Sequence, residues 1–370
     1  MASSNEIGVE YSDGVLGLLK ELNQLQSVGN SVYPIGIFPS QRYHPFLPYE
    51  REDDNLFFTA SIIRMLQGIE LGFHTAEKEL FENMRLKALR AYPLFQNKDG
   101  LDTYNFWQTT PSRHFPNGLF MHRFRHFQIP DDVDDTALVY LTEVADKERV
   151  GKLREKLKQH SNLSYKKASN PLPAYRDLKC YSTFFGKKMY IECDVCVLCN
   201  LMSVILTHFN EDELNEYDLD TLKFIVSVIE RDEFQTLPFY SAPNYPTTGL
   251  ILYHVARLLP LLPDGFKSTV QKKVENGIRE RQSSSSGMNQ ILMENAAMKL
   301  GLSPISGEPD RKVLEDNDFY FFHAGMITAF ENRVAQFLAP NPLFHLRYKS
   351  KALNRALLIE NLMLRRSVTS

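Results

Sequence analysis

Cysteine, tryptophan and charge of a single sign are all scarce in this chain. Four cysteines in 370 residues cannot staple a disulfide scaffold. Lys and Arg number 42 against 45 Asp and Glu, a net charge of −3, so the basic excess that marks nucleic-acid binders is missing. Clean hydrophobic runs are missing too. The most apolar segments, 193–209 and 249–263, are broken by Asn200 and His208, and by His254, Arg257 and Pro260. Neither reaches the ~20 apolar residues of a bilayer span. The opening MASSNEIGVEYSDG has neither the basic nor the apolar block of a secretory leader. These absences predict a cytoplasmic protein with no transmembrane segment and no nucleic-acid partner. Aromatic side chains are plentiful instead. With 25 Phe and 17 Tyr among 43% apolar residues, the chain has ample material for a large core.

Helical periodicity runs through nearly all of it. Segments 12–25, 74–91, 147–160, 211–231, 265–281 and 346–365 place apolar residues at i, i+3 and i+4 among Lys, Glu and Arg, which predicts helices with one wet face. Segments 55–65, 134–141, 194–206, 246–259, 287–300 and 319–338 are small or apolar all round and are opened by Asn, Asp, Ser or Pro. A helix apolar on every side belongs inside. The alternation predicts an all-α fold, an (α/α)6 toroid whose inner ring is sheathed by an outer one, as a single domain over 1–370. A plain helix bundle is the rival. Period-2 alternation is scarce and no βαβ unit is visible. Two long connections, 93–130 and 162–188, carry aromatic, Pro, Ser and Lys residues, and loops of that length are often functional. Residues 281–287 read as a short polar hinge.

The most informative stretch is Ile129-Pro130-Asp131-Asp132-Val133-Asp134-Asp135-Thr136-Ala137. One or two of these carboxylates would serve as N-terminal caps, with Pro130 just ahead of the helix. Four in five residues exceed what capping needs. Adjacent carboxyls in a dry pocket cannot all ionise cheaply, so one keeps its proton and still has it to give when a substrate arrives.

Three families use strings that match. Asp132-Val133-Asp134-Asp135-Thr136 fits the Asp-x-Asp-x-Thr of haloacid-dehalogenase-type phosphatases, but that motif ends a buried strand. Asp131, Asp132 and Asp135 fit the magnesium-binding Asp-Asp-x-x-Asp of ionisation-initiated terpene synthases; the companion motif has no match at Asn200-Leu201-Met202-Ser203. Asp132 to Ala137 resembles the Asp-x-Asp-Asp-Thr-Ala of class II terpene cyclases, the squalene–hopene and copalyl-type branch. The segments from Asp194 to Asn200 and from Tyr245 to Tyr253 also look similar to inner-helix starts of that superfamily. The resemblance implies an α/α toroid, an isoprenoid substrate, Asp134 as general acid, and Asp132 and Asp135 orienting it by hydrogen bonds. It implies Mg²⁺ only where the substrate carries a diphosphate, and no protein-held metal.

Aromatic faces would steer the carbocation, and Phe57, Phe58, Tyr104, Trp107, Tyr245, Phe321 and Phe322 are the candidates. Asn55, Asn105, Asp194, Asn200 and His323 join the substrate-contact set, with Arg123 and Arg125 of the basic run 122–126 suited to an anion. The family usually has two barrels and Gln-Trp repeats; here there is material for one barrel, and Trp107 is alone. Either the long connections cover the cavity or a second copy in a homodimer supplies the missing wall. A protein prenyltransferase-like subunit is the alternative inside the superfamily, with Asp194, Cys196 and His323 as zinc-type ligands. A non-catalytic barrel binding a lipid or protein, or a carbohydrate-active barrel with paired Asp, are the alternatives outside it. Cys193, Cys196 and Cys199 lie in an apolar helix and read as buried packing thiols.

Overall fold

The computed structural model describes residues 4–97, 102–115, 128–168, 172–186, 189–328 and 332–369. Polar side chains start the apolar helices, as the sequence suggests. Asn55 accepts from the Phe58 N–H at 3.2 Å, Asp132 from Asp134 at 2.7 Å, Asp194 from Cys196 at 2.8 Å and Thr247 from Leu250 at 3.2 Å. Among the described residues the helices in chain order are α1 (Ser4–Leu25), α2 (Leu56–Gln67), α3 (Thr75–Ala91), α4 (Val133–Glu143), α5 (Lys147–Lys158), α6 (Val195–His208) and α7 (Glu216–Glu230). The short α8 (Glu233–Thr236) and α9 (Pro238–Ser241) follow, then α10 (Thr248–Leu258), α11 (Asp264–Ser284), α12 (Gly287–Lys299), α13 (Arg333–Leu338) and α14 (Lys351–Thr369).

Six of them close a ring. α2 packs on α4, α4 on α6, α6 on α10, α10 on α12, α12 on α14, and α14 returns to α2. Every residue of α6 from Val195 to Ile205 is buried, as a helix without a wet face must be. Helices α1, α3, α5, α7 and α11 sheath the ring, and a 3₁₀ turn at Arg311–Glu315 takes the outer position between α12 and α14. The start of α12 is capped from outside. Asp316 Oδ2 accepts from the Met288 N–H at 3.1 Å, and Gly287 at φ +58° leaves room for that carboxylate.

The sixth inner helix is not where periodicity puts it. Residues 319–338 hold a strand and the short α13, and the ring is completed by α14, which the sequence reads as an outer helix with a wet face. The polar residues that suggest water face other protein groups. Glu360 accepts from the Tyr253 hydroxyl at 2.9 Å and from Asn295 Nδ2 at 2.9 Å, and pairs with Lys299 at 2.7 Å. Asn361 donates to Asn295 at 2.8 Å, and Arg365 pairs with Glu294 at 2.5 Å. Hydropathy cannot tell a buried polar network from a solvated face.

The second departure is a four-stranded antiparallel sheet in the order β2-β1-β4-β3, built from β1 (Ser40–Tyr43), β2 (Glu50–Asp53), β3 (Phe322–Gly325) and β4 (His345–Lys349). Ser40 pairs with Asp53, Gln41 with Lys349 and Phe322 with Tyr348. Strands as short and charged as Glu50–Asp53 carry no alternation to detect. β2 leads into α2 and β4 into α14, so the sheet lies at the end of the ring where these helices begin.

Glu360→Ala should therefore cost about 3–5 kcal/mol, as removal of one partner from a buried charged set does. The urea midpoint measures it. A loss no larger than a surface substitution gives would mean that α14 turns its polar side outward.

Candidate active site

The N-terminal ends of α2, α4 and α6 and the turn before α10 meet beneath the sheet, around a cavity of about 1240 Å³. That exceeds the ~300–1,000 Å³ of ordinary small-ligand pockets. Phe57, Phe106, Trp107, Phe115, Phe184, Tyr190, Tyr245, Phe322 and Tyr348 line it, together with Met189 and Met326. The rings brace one another. Phe322 stacks on Tyr348 at 4.5 Å, and Phe57 meets Phe322 edge-on at 4.7 Å. The indole N–H of Trp107 donates to Asp53 Oδ1 at 3.0 Å, and Asp53 is itself paired with buried Arg42, which fixes the ring at the cavity wall.

Asp132, Asp134 and Asp135 line the same cavity; Asp134 and Asp135 are buried and Asp132 is half-buried. The carboxyl of Asp134 is held on both oxygens: Asn200 Nδ2 donates to Oδ1 at 2.7 Å and the Tyr245 hydroxyl donates to Oδ2. Burial raises its proton affinity, and the two donors and the positive charge of Arg257 oppose that rise without cancelling it. Asp132 does not touch the Asp134 carboxyl. It caps α4, accepting from the backbone N–H groups of Asp134 and Asp135. Asp135 Oδ1 is buried and meets no donor among the described residues. Both are held well above the ordinary carboxyl range, first by burial and then by the neighbouring carboxyls. The orienting hydrogen bonds thus come from Asn200 and Tyr245 rather than from the flanking Asp. Asp131 turns away and accepts from Asn97 at 2.7 Å and Thr103 at 2.5 Å.

The other sequence candidates divide. Trp107, Tyr245 and His323 line the cavity, as do Phe57 and Phe322, whereas Phe58 and Phe321 pack behind them. Asn55 is a cap that also donates to Ser40 and Asp53. Tyr104 and Asn105 hold the segment entering the acidic cluster: the Tyr104 carbonyl accepts from the Asp132 N–H at 2.8 Å, and Asn105 donates to Pro130 O at 3.0 Å. Asp194 caps α6 and accepts from the Asn244 N–H at 2.8 Å; burial and the neighbouring Glu192 push it up to about 8. Arg123 and Arg125 lie outside the described residues. Sequence reasoning missed Glu192, Asn244 and Tyr190, which extend the buried polar wall, and Phe106, Phe115, Phe184 and Tyr348 among the rings. The one available signal was Tyr190 and Glu192 alternating toward the cap at Asp194.

A metal does not suit these donors. Among the described residues no three His, Cys, Asp or Glu side chains are grouped to hold one. Asp194 is spent on backbone N–H groups, and His323 Nε2 lies 2.6 Å from the Pro243 carbonyl. All four cysteines are buried and unbridged.

The fold is the α/α toroid of the terpene cyclases. It is similar to the apo structure of a variant of the type II terpene cyclase MstE from Scytonema, with a TM-score of 0.56 and 9% identity, over 97% of this chain and 98% of that one. No family model matches this sequence, and no curated protein does. No helix among the described residues is long and apolar enough to cross a membrane.

Asp132, Asp134, Asp135, Asp194 and Glu192 all keep their protons to higher pH when folded, and none forms an ion pair among the described residues. Such groups add stability that is complete below the unfolded carboxyl range and is lost as pH rises through the folded value. His254, pushed down to about 3, and His323 and His345, also lowered, act oppositely, an effect that fades above the ordinary histidine value of 6.5. From about pH 7.5, where the unfolded histidines are nearly all neutral, up to about 8 the carboxyls dominate, Asp194 among them. The unfolding temperature should fall across that window, and less steeply in Asp194→Asn. A flat or rising profile by circular dichroism would contradict the raised proton affinity of Asp194.

Proposed function

We propose that this protein is a class II-type terpene cyclase that protonates an alkene of a prenyl substrate, with Asp134 as the general acid. The observation that carries this reading is the Asp134 carboxyl at the wall of a large aromatic cavity, with Asn200 and Tyr245 on its two oxygens. In the acid form its O–H proton passes to one carbon of a C=C bond. The π pair becomes the new C–H bond, and the other carbon is left cationic. The carboxylate that remains is met by donors already in place, so no reorganisation is needed as charge develops. The faces of Phe57, Trp107 and Phe322 then stabilise the cation as it is attacked by the next double bond. Burial favours the protonated state of the acid before substrate arrives. The similarity to a solved toroid described as a type II terpene cyclase supports the same reading.

A scaffold barrel would be filled by its own side chains at this end, and a lipid-binding barrel would have no use for carboxyls on the wall of its cavity. The open cavity and the carboxyls of Asp132, Asp134 and Asp135 on its wall argue for chemistry instead.

Incubation with farnesyl diphosphate, geranylgeranyl diphosphate and squalene, with and without Mg²⁺, followed by gas chromatography–mass spectrometry, tests this. The wild type should give a cyclised product. Asp134→Asn should lose at least ~10²-fold in rate, the lower range for a general acid. Tyr245→Phe, which keeps the ring and removes one donor, should lose less. Turnover that survives Asp134→Asn, or no turnover by the folded wild type, would sink the assignment.

A further inference from the structure

Cyclisation initiated at one alkene moves positive charge along the chain, away from the acid that started it. The reaction then ends when the last cation loses a proton or captures water, and a group placed apart from Asp134 can decide between the two. Tyr190 lines the cavity, and its hydroxyl donates to Glu192 Oε2 at 2.8 Å with the Thr328 hydroxyl beside it. Glu192 is 1% exposed, and its other oxygen accepts from Asn244 Nδ2 at 2.7 Å. Neither residue hydrogen-bonds to Asp134, whose carboxyl belongs to Asn200 and Tyr245. Behind Glu192 lies a second pocket of about 120 Å³, which Glu192 and Thr328 line together with Arg176 and Tyr240. Thr328 thus belongs to the walls of both cavities.

We propose that Tyr190 and Glu192 form the proton exit of the cavity, and that the second pocket returns the proton to solvent. This rests on the cyclase reading above. In the step itself a C–H bond next to the terminal cation breaks, and its electron pair becomes the C=C bond of the product. The proton goes to the Tyr190 oxygen as the phenolic proton passes to the Glu192 carboxylate. Tyr190 ends neutral and Glu192 ends protonated. Burial raises the proton affinity of Glu192, which makes its carboxylate a stronger acceptor than one in water.

The test is the ratio of alcohol to alkene among the cyclised products of the wild type, Tyr190→Phe and Glu192→Gln, measured by gas chromatography–mass spectrometry on the same three substrates. The wild type should yield mainly a cyclic alkene. Each variant should raise the alcohol-to-alkene ratio at least tenfold, because the cation then waits for water, and Glu192→Asp should restore part of the alkene. A structural role would lower both products together and leave the ratio unchanged. Circular dichroism identifies a variant that fails to fold, and the other then decides. An unchanged ratio in a folded variant overturns the proton exit while leaving Asp134 as initiator. So does a wild-type product that is alcohol alone. Absence of any wild-type product overturns the cyclase reading and the exit with it.

Discussion

A carboxyl group placed in the first turn of a helix and taken out of water is pulled two ways. The helix N-terminus favours the anion, whereas removal from solvent favours the acid. At Asp132, Asp134 and Asp135 desolvation is the larger influence, and no cation forms an ion pair with them among the described residues. Much of the architecture serves that balance. The ring of helices buries Asp134 and Asp135, the sheet lies at the same end, and Asn200 and Tyr245 supply donors that suit the anion once the proton has gone.

The interior is accordingly divided. Toward the helix starts it is open and lined by aromatic rings, with the carboxyls, His323, Asn244 and Gln128 among them. Deeper, Tyr253, His254 and Phe321 pack against one another, with Tyr253 and Phe321 centroids 6.2 Å apart, and the Glu360 network lies beyond. The plug limits the cavity on one side and anchors α10, α12 and α14 to one another. A uniformly apolar core would have packed without specifying which helix sits where, whereas Glu360 with Lys299 and Tyr253 fixes a register.

Sequence periodicity located five of the six inner helices, because a helix apolar all round loses stability anywhere but the interior. It failed at α14, whose Glu360, Asn361 and Arg365 look solvated until their partners on α12 are known. It also failed at the strands, which are too short and too charged to alternate. The acidic cluster was legible because four carboxylates in five residues are costly without a use. Their division of labour was not. That Asp132 is a cap, Asp131 a strut for Asn97 and Thr103, and Asp134 the group held by Asn200 and Tyr245 depends on contacts between residues far apart in the chain. Asn55, Tyr104 and Asn105 were selected for their position at helix starts and in a long loop, and they serve as supports one layer behind the wall.

The sheet has a temporal meaning as well as a spatial one. β1 is made early, and its neighbour β4 only after the strands and helices between them, with Gln41 facing Lys349. Contacts so distant in sequence are slow to form, since loop closure must precede their reward. A nascent chain that has not reached β4 and α14 leaves α2 without one neighbour and the ring open, its aromatic wall exposed to other chains. The toroid is thus finished by its last helix, and the dryness on which its acid depends arrives in the final act of folding.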